Sequence, residues 1–236
     1  YLEDVKIGGT TKRWQGAFEL SKLLSNPKMV PKDEMFASEM IAAFEYSSND
    51  RDARIQQYLA IAMGATKDTR YMKTLIEAMP NADIGVVQAC AFALGNIGAS
   101  EAIDPLKNLL DNSEPQVRLH AVIALGKIGG SSTIPLLQSM LSDQEPNVRW
   151  DASIALAKQK DSSGRSILLD LLDRKYLNSF PNIDEKEKVQ VMLVAISVAH
   201  FIQNQELKSR LEDINSNDNN LKIREAARIA LGKFII

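Results

Sequence analysis

The stretch VRLHAVIALGKIGG, which starts at Val117, has three close counterparts: VRWDASIALAKQKD from Val148, VVQACAFALGNIGA from Val86 and IQQYLAIAMGATKD from Ile55, with successive starts 31 residues apart. A period of this length leaves few folds open. One such unit is too small to bury its own apolar face, so copies must stack on one another. After a longer interval the pattern passes through Val191 in VMLVAISVAH and is clear again from Ile223 in IREAARIALGKFI; a degenerate copy lies in RWQGAFELSK from Arg13.

Within each copy, apolar or small residues hold the first, fifth, eighth, ninth and often twelfth positions, the spacing of one face of an α-helix. In the copy at Val117 these are Val117, Ala121, Ala124, Leu125 and Ile128. Shorter helical patterns, AIDPLKNLLDN and TIPLLQSMLSD, lie between copies and end in turn clusters such as Asn112-Ser113-Glu114-Pro115 and Asp143-Gln144-Glu145-Pro146. Each unit is therefore read as two helices and a turn. The fold class is all-α, an α-solenoid of about six or seven stacked hairpins. The expected organisation is one solenoid domain over 1–236, with a degenerate repeat and cap over 1–49 and regular repeats over 50–172. An insertion loop over 173–188 and C-terminal repeats over 189–236 complete it.

The signatures EPQVRLHAVIALGKIG and EPNVRWDASIALAK resemble the short HEAT-like repeats of the phycobilin-lyase type, over most of residues 50 to 236. That resemblance implies a right-handed solenoid and, in most settings, an interaction scaffold. It also implies a rival role, handling of a bilin or other tetrapyrrole. The opening RWQGAFELSKLLSNPK together with the insertion resembles bacterial HEAT-repeat proteins tethered by an N-terminal membrane segment. A cytoplasmic location follows as an expectation, with any such tether lying ahead of Tyr1.

Composition narrows the chemistry. The 28 basic residues nearly cancel the 30 acidic ones, so no large net field draws the protein onto nucleic acid or an anionic membrane. Nucleic-acid binding is the least favoured reading. The longest apolar run, Val189 to Ile202, is too short to span a bilayer and is interrupted by Gln190, Ser197 and His200. His120 and His200 belong to no HExxH helix and to no paired His-Glu dipeptides of the di-iron HEAT-repeat hydroxylases, so no metal is expected. Gly126-Lys127 lacks the upstream glycine of a P-loop, GxSxG and GxGxxG are absent, and no carboxylate pair stands out. No cofactor and no catalytic residue are assigned, and the chain is read as a non-enzyme. Cys90, the sole cysteine, falls at the core-facing fifth position, where a small buried hydrophobe fits. Gly64, Gly95, Gly126 and Gly232 share the tenth position, which suits close helix packing or a helix end. Arg118, Arg149 and Arg224 share the second, from which a guanidinium reaches its own inter-helix turn or grips an acidic partner.

The helical wheel carries the functional expectation. With the first, fifth, eighth and twelfth positions facing the paired helix, the third and seventh lie opposite and should be polar. Instead the seventh is Ile61, Phe92, Ile123, Ile154 and Ile229, and the third includes Leu119 and Trp150. Stacked at successive repeats, Ile61, Phe92, Leu119, Ile123, Trp150 and Ile154 would line the inner surface with an apolar strip that accepts a partner's helix or peptide, Trp150 and Phe92 serving as anchors. Helical periodicity is equally compatible with the seventh position being buried between neighbouring helices. The inserted segment DRKYLNSFPNIDEKEK, with Tyr176, Phe180 and Pro181 in a polar context, reads as a contact element or as a tolerated surface loop. Phe234, Ile235 and Ile236 would be sticky if uncovered, and exposed terminal repeats could pair two copies into a homodimer.

Overall fold

Residues 1–235 are described by a computed structural model, apart from the side chain of Asn81; the expectation on Ile236 lies outside the described residues. The chain divides into two compact units, 1–129 and 130–236. All regular structure in the described residues is helical.

The first unit holds α1 (Leu2–Ile7), α2 (Thr10–Leu24), α3 (Glu34–Ser47), α4 (Arg54–Thr66), α5 (Met72–Ala78), α6 (Ile84–Ile97), α7 (Ile103–Asn108) and α8 (Pro115–Ile128). Helices α3 and α4, α5 and α6, and α7 and α8 form successive hairpins, while α2, α4, α6 and α8 pack side by side in that order. The repeat pattern explains this layering. Ile55, Leu59, Ala62 and Met63 of α4, Val86, Cys90, Ala93 and Leu94 of α6, and Val117, Ala121, Ala124 and Leu125 of α8 are all buried. They are the first, fifth, eighth and ninth positions of three copies.

The tenth-position glycines set how near the stacked helices come. A Cβ built on Gly64 would lie 2.4 Å from the Cα of Ala93, and one on Gly95 would lie 2.7 Å from the Cα of Ala124. Each contact joins position ten of one copy to position eight of the next. Helix starts follow local chemistry: Asp83 accepts a hydrogen bond from the Gly85 N–H at 2.9 Å, and Pro115 occupies the first turn of α8, where its missing N–H costs nothing.

The second unit holds α9 (Ile134–Ser139), α10 (Pro146–Lys158), α11 (Arg165–Leu171), α12 (Arg174–Asn178), α13 (Glu185–Ala199), α14 (Gln205–Asn217) and α15 (Leu221–Leu231). Its core gathers α10, α11, α13, α14 and α15 around Leu168, Leu171, Ala195, Ile196, Leu207 and Leu211. The inserted segment is partly ordered rather than a plain loop. Asp173 caps the short helix α12 through the Lys175 N–H, and Asp184 with Glu187 forms a capping box that starts α13. At the far end Ile235 is exposed and Phe234 half-buried.

The second-position arginines serve the turns. Arg118 Nη1 donates to the carbonyls of Asn112 (2.9 Å) and Ser113 (3.2 Å); Arg149 Nη1 does the same to Asp143 (2.7 Å) and Gln144 (2.9 Å). Near the Arg224 copy a different arginine carries the electrostatics. Arg174 grips Asp218 in a two-pronged pair, Nε donating to Oδ2 at 2.7 Å and Nη2 to Oδ1 at 2.9 Å, with the carboxylate almost fully buried.

The Arg174 guanidinium, aided by the Asn220 N–H, holds the Asp218 carboxyl below its ordinary value. A carboxyl depressed in the folded state contributes stability that is complete above the unfolded pKa of about 3.9 and is withdrawn as pH falls through the folded value. Arg174→Gln is expected to lower stability near neutral pH by about 1–3 kcal/mol, the range for hydrogen bonds to a charged group. Urea midpoints measured above and below pH ~4 should show the gap between variant and wild type narrowing only on the acid side.

Candidate partner-binding surface

The seventh-position residues of the first unit stand on α4, α6 and α8 as Ile61, Phe92 and Ile123, and all three are half-buried, as is Leu119 at the third position of α8. Their fixed spacing follows from the helix contacts at Gly64 and Gly95, which bring three copies of one helix face into a row. Lys127, one turn beyond Ile123, stacks its ammonium 4.1 Å from the centroid of the Phe92 ring and donates to Asn96 Oδ1 at 2.8 Å. The charge therefore lies over the ring face, where the π quadrupole attracts it.

Further aromatic residues lie on α2 and α4. The rings of Phe18 and Tyr58 meet edge to face at 5.1 Å. Arg54 lies 4.6 Å over Trp14, and Lys22 lies 5.0 Å over Phe18. Sequence reading missed Trp14 and Phe18 because the copy from Arg13 is degenerate, and Tyr58 because it holds a fourth position outside the apolar pattern. The i,i+4 spacing of Trp14 and Phe18 was the available signal.

In the second unit the expectation fails for two residues. Trp150 is 3% exposed and Ile154 7%, so neither is an open anchor. The inserted segment covers Trp150, while Ile154 belongs to the core cluster of the second unit. Phe180 packs edge to face on Trp150 with centroids 5.1 Å apart, Tyr176 packs at 6.3 Å, and the Trp150 indole Nε1 donates to the Tyr176 hydroxyl at 3.2 Å. Tyr176 and Phe180 also pack on each other at 5.2 Å, closing a three-ring cluster. The physical reason is plain: an indole at the third position of α10 is too large to leave in water, and the extra residues between Val148 and Val191 supply a cover.

Cys90 and the two histidines are buried or engaged locally. Cys90 is fully buried, and burial pushes its thiol up to about 12, which leaves it protonated and unreactive. His120 hydrogen-bonds the Gln116 carbonyl within its own helix at 2.7 Å. His200 lies against Phe201, its Nδ1 buried without a partner among the described residues, and burial lowers its pKa. Among the described residues no His, Cys, Asp or Glu group is arranged to hold a metal ion, and no helix is long and apolar enough to cross a membrane.

Several solved structures share this architecture. The complex of CpcE and CpcF of phycocyanin lyase from Nostoc sp. PCC7120 aligns over 99% of this chain and 93% of its own, with a TM-score of 0.64 and 17% identity. YibA of E. coli aligns over 98% and 90%, with a TM-score of 0.56 and 20% identity. An engineered protein aligns over 99% and 96%, with a TM-score of 0.51 and 18% identity. At such identities these are likenesses of fold. Among curated proteins, none matches the sequence. Residues 42–118 and 103–177 match the family model of HEAT repeats, together more than half of the chain; with the 31-residue period and the stacked hairpins, this makes the chain a member of the HEAT-repeat family.

Proposed function

We propose that this HEAT-repeat chain is a non-catalytic scaffold that holds another protein by laying a helix or peptide segment of it across α4, α6 and α8, against Ile61, Phe92, Leu119 and Ile123. One observation carries the reading. In the second unit Trp150 is covered by the chain's own Tyr176 and Phe180 and Ile154 is buried in the core, whereas Ile61, Phe92, Leu119 and Ile123 of the first unit stay partly exposed. A repeat protein that covers apolar side chains on one helix and leaves their counterparts on others partly open has reason to keep the open ones for a partner. The covering segment also supplies a pattern for the occupant, since it seats aromatic side chains from a short helix and the turn after it. Helix-in-groove recognition uses the same spacing of anchors.

The test compares proteins captured from the native cell by wild type and by a Phe92→Asp, Ile123→Asp variant, after circular dichroism and urea melts have matched the two. A specific bound protein that the variant loses by more than roughly tenfold supports the reading, since two anchors at an interface centre carry that much energy. A folded variant that keeps every partner contradicts it. Tetrapyrrole handling, suggested by the likeness to the phycocyanin lyase complex, predicts instead a coloured ligand that travels with the protein and leaves with the same two substitutions.

A further inference from the structure

At the edge of the first unit formed by the turns within hairpins, a cleft of about 390 Å³ opens between the end of α3, the start of α4, α5 and the approach to α6. Four carboxylates line it: Glu45, Asp50, Glu77 and Asp83. Among the described residues no Lys, Arg or His does. Asp50 is neutralised by an ion pair with Arg13, Glu77 has a loose, exposed partner in Lys73 at 3.8 Å, and Asp83 accepts from Gln57 Nε2 and from the Gly85 N–H. The cleft thus keeps an excess of negative charge.

Two neutral polar side chains lining it lack any hydrogen-bond partner among the described residues. Gln56, 8% exposed, and Thr74, 9% exposed, are both more than nine-tenths buried. Neither contributes a sealed, orphaned polar atom, so their polar groups stay open to the cleft, where a ligand can meet them. Beyond Ala82, which lines both spaces, lies an apolar pocket of about 660 Å³ with Ile76, Met79, Pro80, Ile84, Val87 and Leu109 among its walls. Ile84 is 48% exposed in it.

We infer that this edge binds an extended polypeptide segment of a partner, seating an arginine side chain in the acidic cleft and a neighbouring bulky apolar side chain in the pocket beyond Ala82. Arginine fits better than a point charge. Its planar fork spans separate carboxylates while a free N–H reaches the Gln56 carbonyl. The adjoining apolar pocket favours a peptide over a free cation, because a lone guanidinium leaves it empty. The inference stands apart from the strip on α4, α6 and α8 and uses none of its residues.

The experiment follows backbone amide resonances of the full chain during titration with the capped peptide acetyl-Ala-Arg-Ala-Leu-Ala-amide. Parallel titrations use the citrulline-for-arginine peptide, the alanine-for-leucine peptide and arginine methyl ester. The arginine peptide is expected to shift resonances of Glu45, Gln56, Thr74, Ala82 and Ile84, with an affinity that falls as salt rises. Citrulline for arginine, or Glu45→Gln with Glu77→Gln in the protein, should each weaken binding at least roughly tenfold, and alanine for leucine several-fold. Both protein substitutions are at exposed sites, so folding is kept; Ile123→Asp should leave the affinity unchanged. Equal binding of the citrulline peptide, shifts that miss the cleft, or arginine methyl ester binding as tightly as the peptide would each overturn the inference.

Discussion

Trp150→Ala is expected to destabilise the second unit by about 3–5 kcal/mol, the cost of deleting a large buried aromatic side chain. The indole is almost fully buried beneath two rings and also donates a hydrogen bond, so truncation removes packing, two edge-to-face contacts and the partner of the Tyr176 hydroxyl together. Each aromatic pair adds about 0.5–1.5 kcal/mol beyond area burial. The inserted segment should loosen at the same time, read as loss of near-ultraviolet dichroism and faster amide exchange in α12. Phe180→Ala is expected to cost less, and the double variant should fall short of the sum of the two singles because the contact is shared. A loss under about 1 kcal/mol for Trp150→Ala would mean that the insertion is not anchored on it.

Gly64→Leu should be at least as damaging to the first unit. Alanine at an exposed helix interior gains about 1 kcal/mol over glycine, but a side chain at Gly64 points at the backbone of Ala93, 2.4 Å from its Cα and 3.2 Å from its carbonyl oxygen. Neither atom belongs to a flexible side chain that can swing aside, so α4 and α6 must separate. Overpacking costs typically 1–3 kcal/mol where neighbours can adjust and more where they cannot. The expected result is a loss above about 3 kcal/mol, with Gly64→Ala intermediate. Gly232→Ala supplies the control, since its nearest atom is a backbone oxygen at 3.5 Å, and a change within about 0.5 kcal/mol is expected there. Comparable effects at the two glycines would refute the close-approach account.

The repeat made the hairpins and most of their core legible from sequence, because one face of one helix recurs at a fixed interval and stacking demands that the face be buried. Val117, Ala121, Ala124 and Leu125 lie where the pattern puts them, and so do their counterparts in the neighbouring copies. The recurring position of Arg118 and Arg149 offered either a bond to the turn or a grip on an acidic partner, and the turn bonds are the ones present. What periodicity could not supply was the fate of the opposite face. The wheel treats the seventh position alike in every copy, yet Ile154 is buried and Ile123 is not. Ile154 joins the core cluster of the second unit, and its neighbour Trp150 is covered by an insertion that lies outside any helical period. The acidic cleft escaped for a related reason: Glu45, Asp50, Glu77 and Asp83 come from separate stretches that only the stacking of hairpins brings together.

The central claim, an apolar row open for a partner on α4, α6 and α8 with its counterpart on α10 covered, is open to a direct measurement through the single native thiol. Cys90 is fully buried and held protonated, so cysteines placed one at a time by Ile61→Cys, Phe92→Cys, Ile123→Cys and Ile154→Cys can be labelled with a maleimide without removing it. The account predicts fast labelling at positions 61, 92 and 123, labelling at 154 as slow as at Cys90, and protection of the first three when the captured partner is bound. Labelling at 154 as fast as at 123, or a bound partner that leaves 92 and 123 reactive, would contradict it.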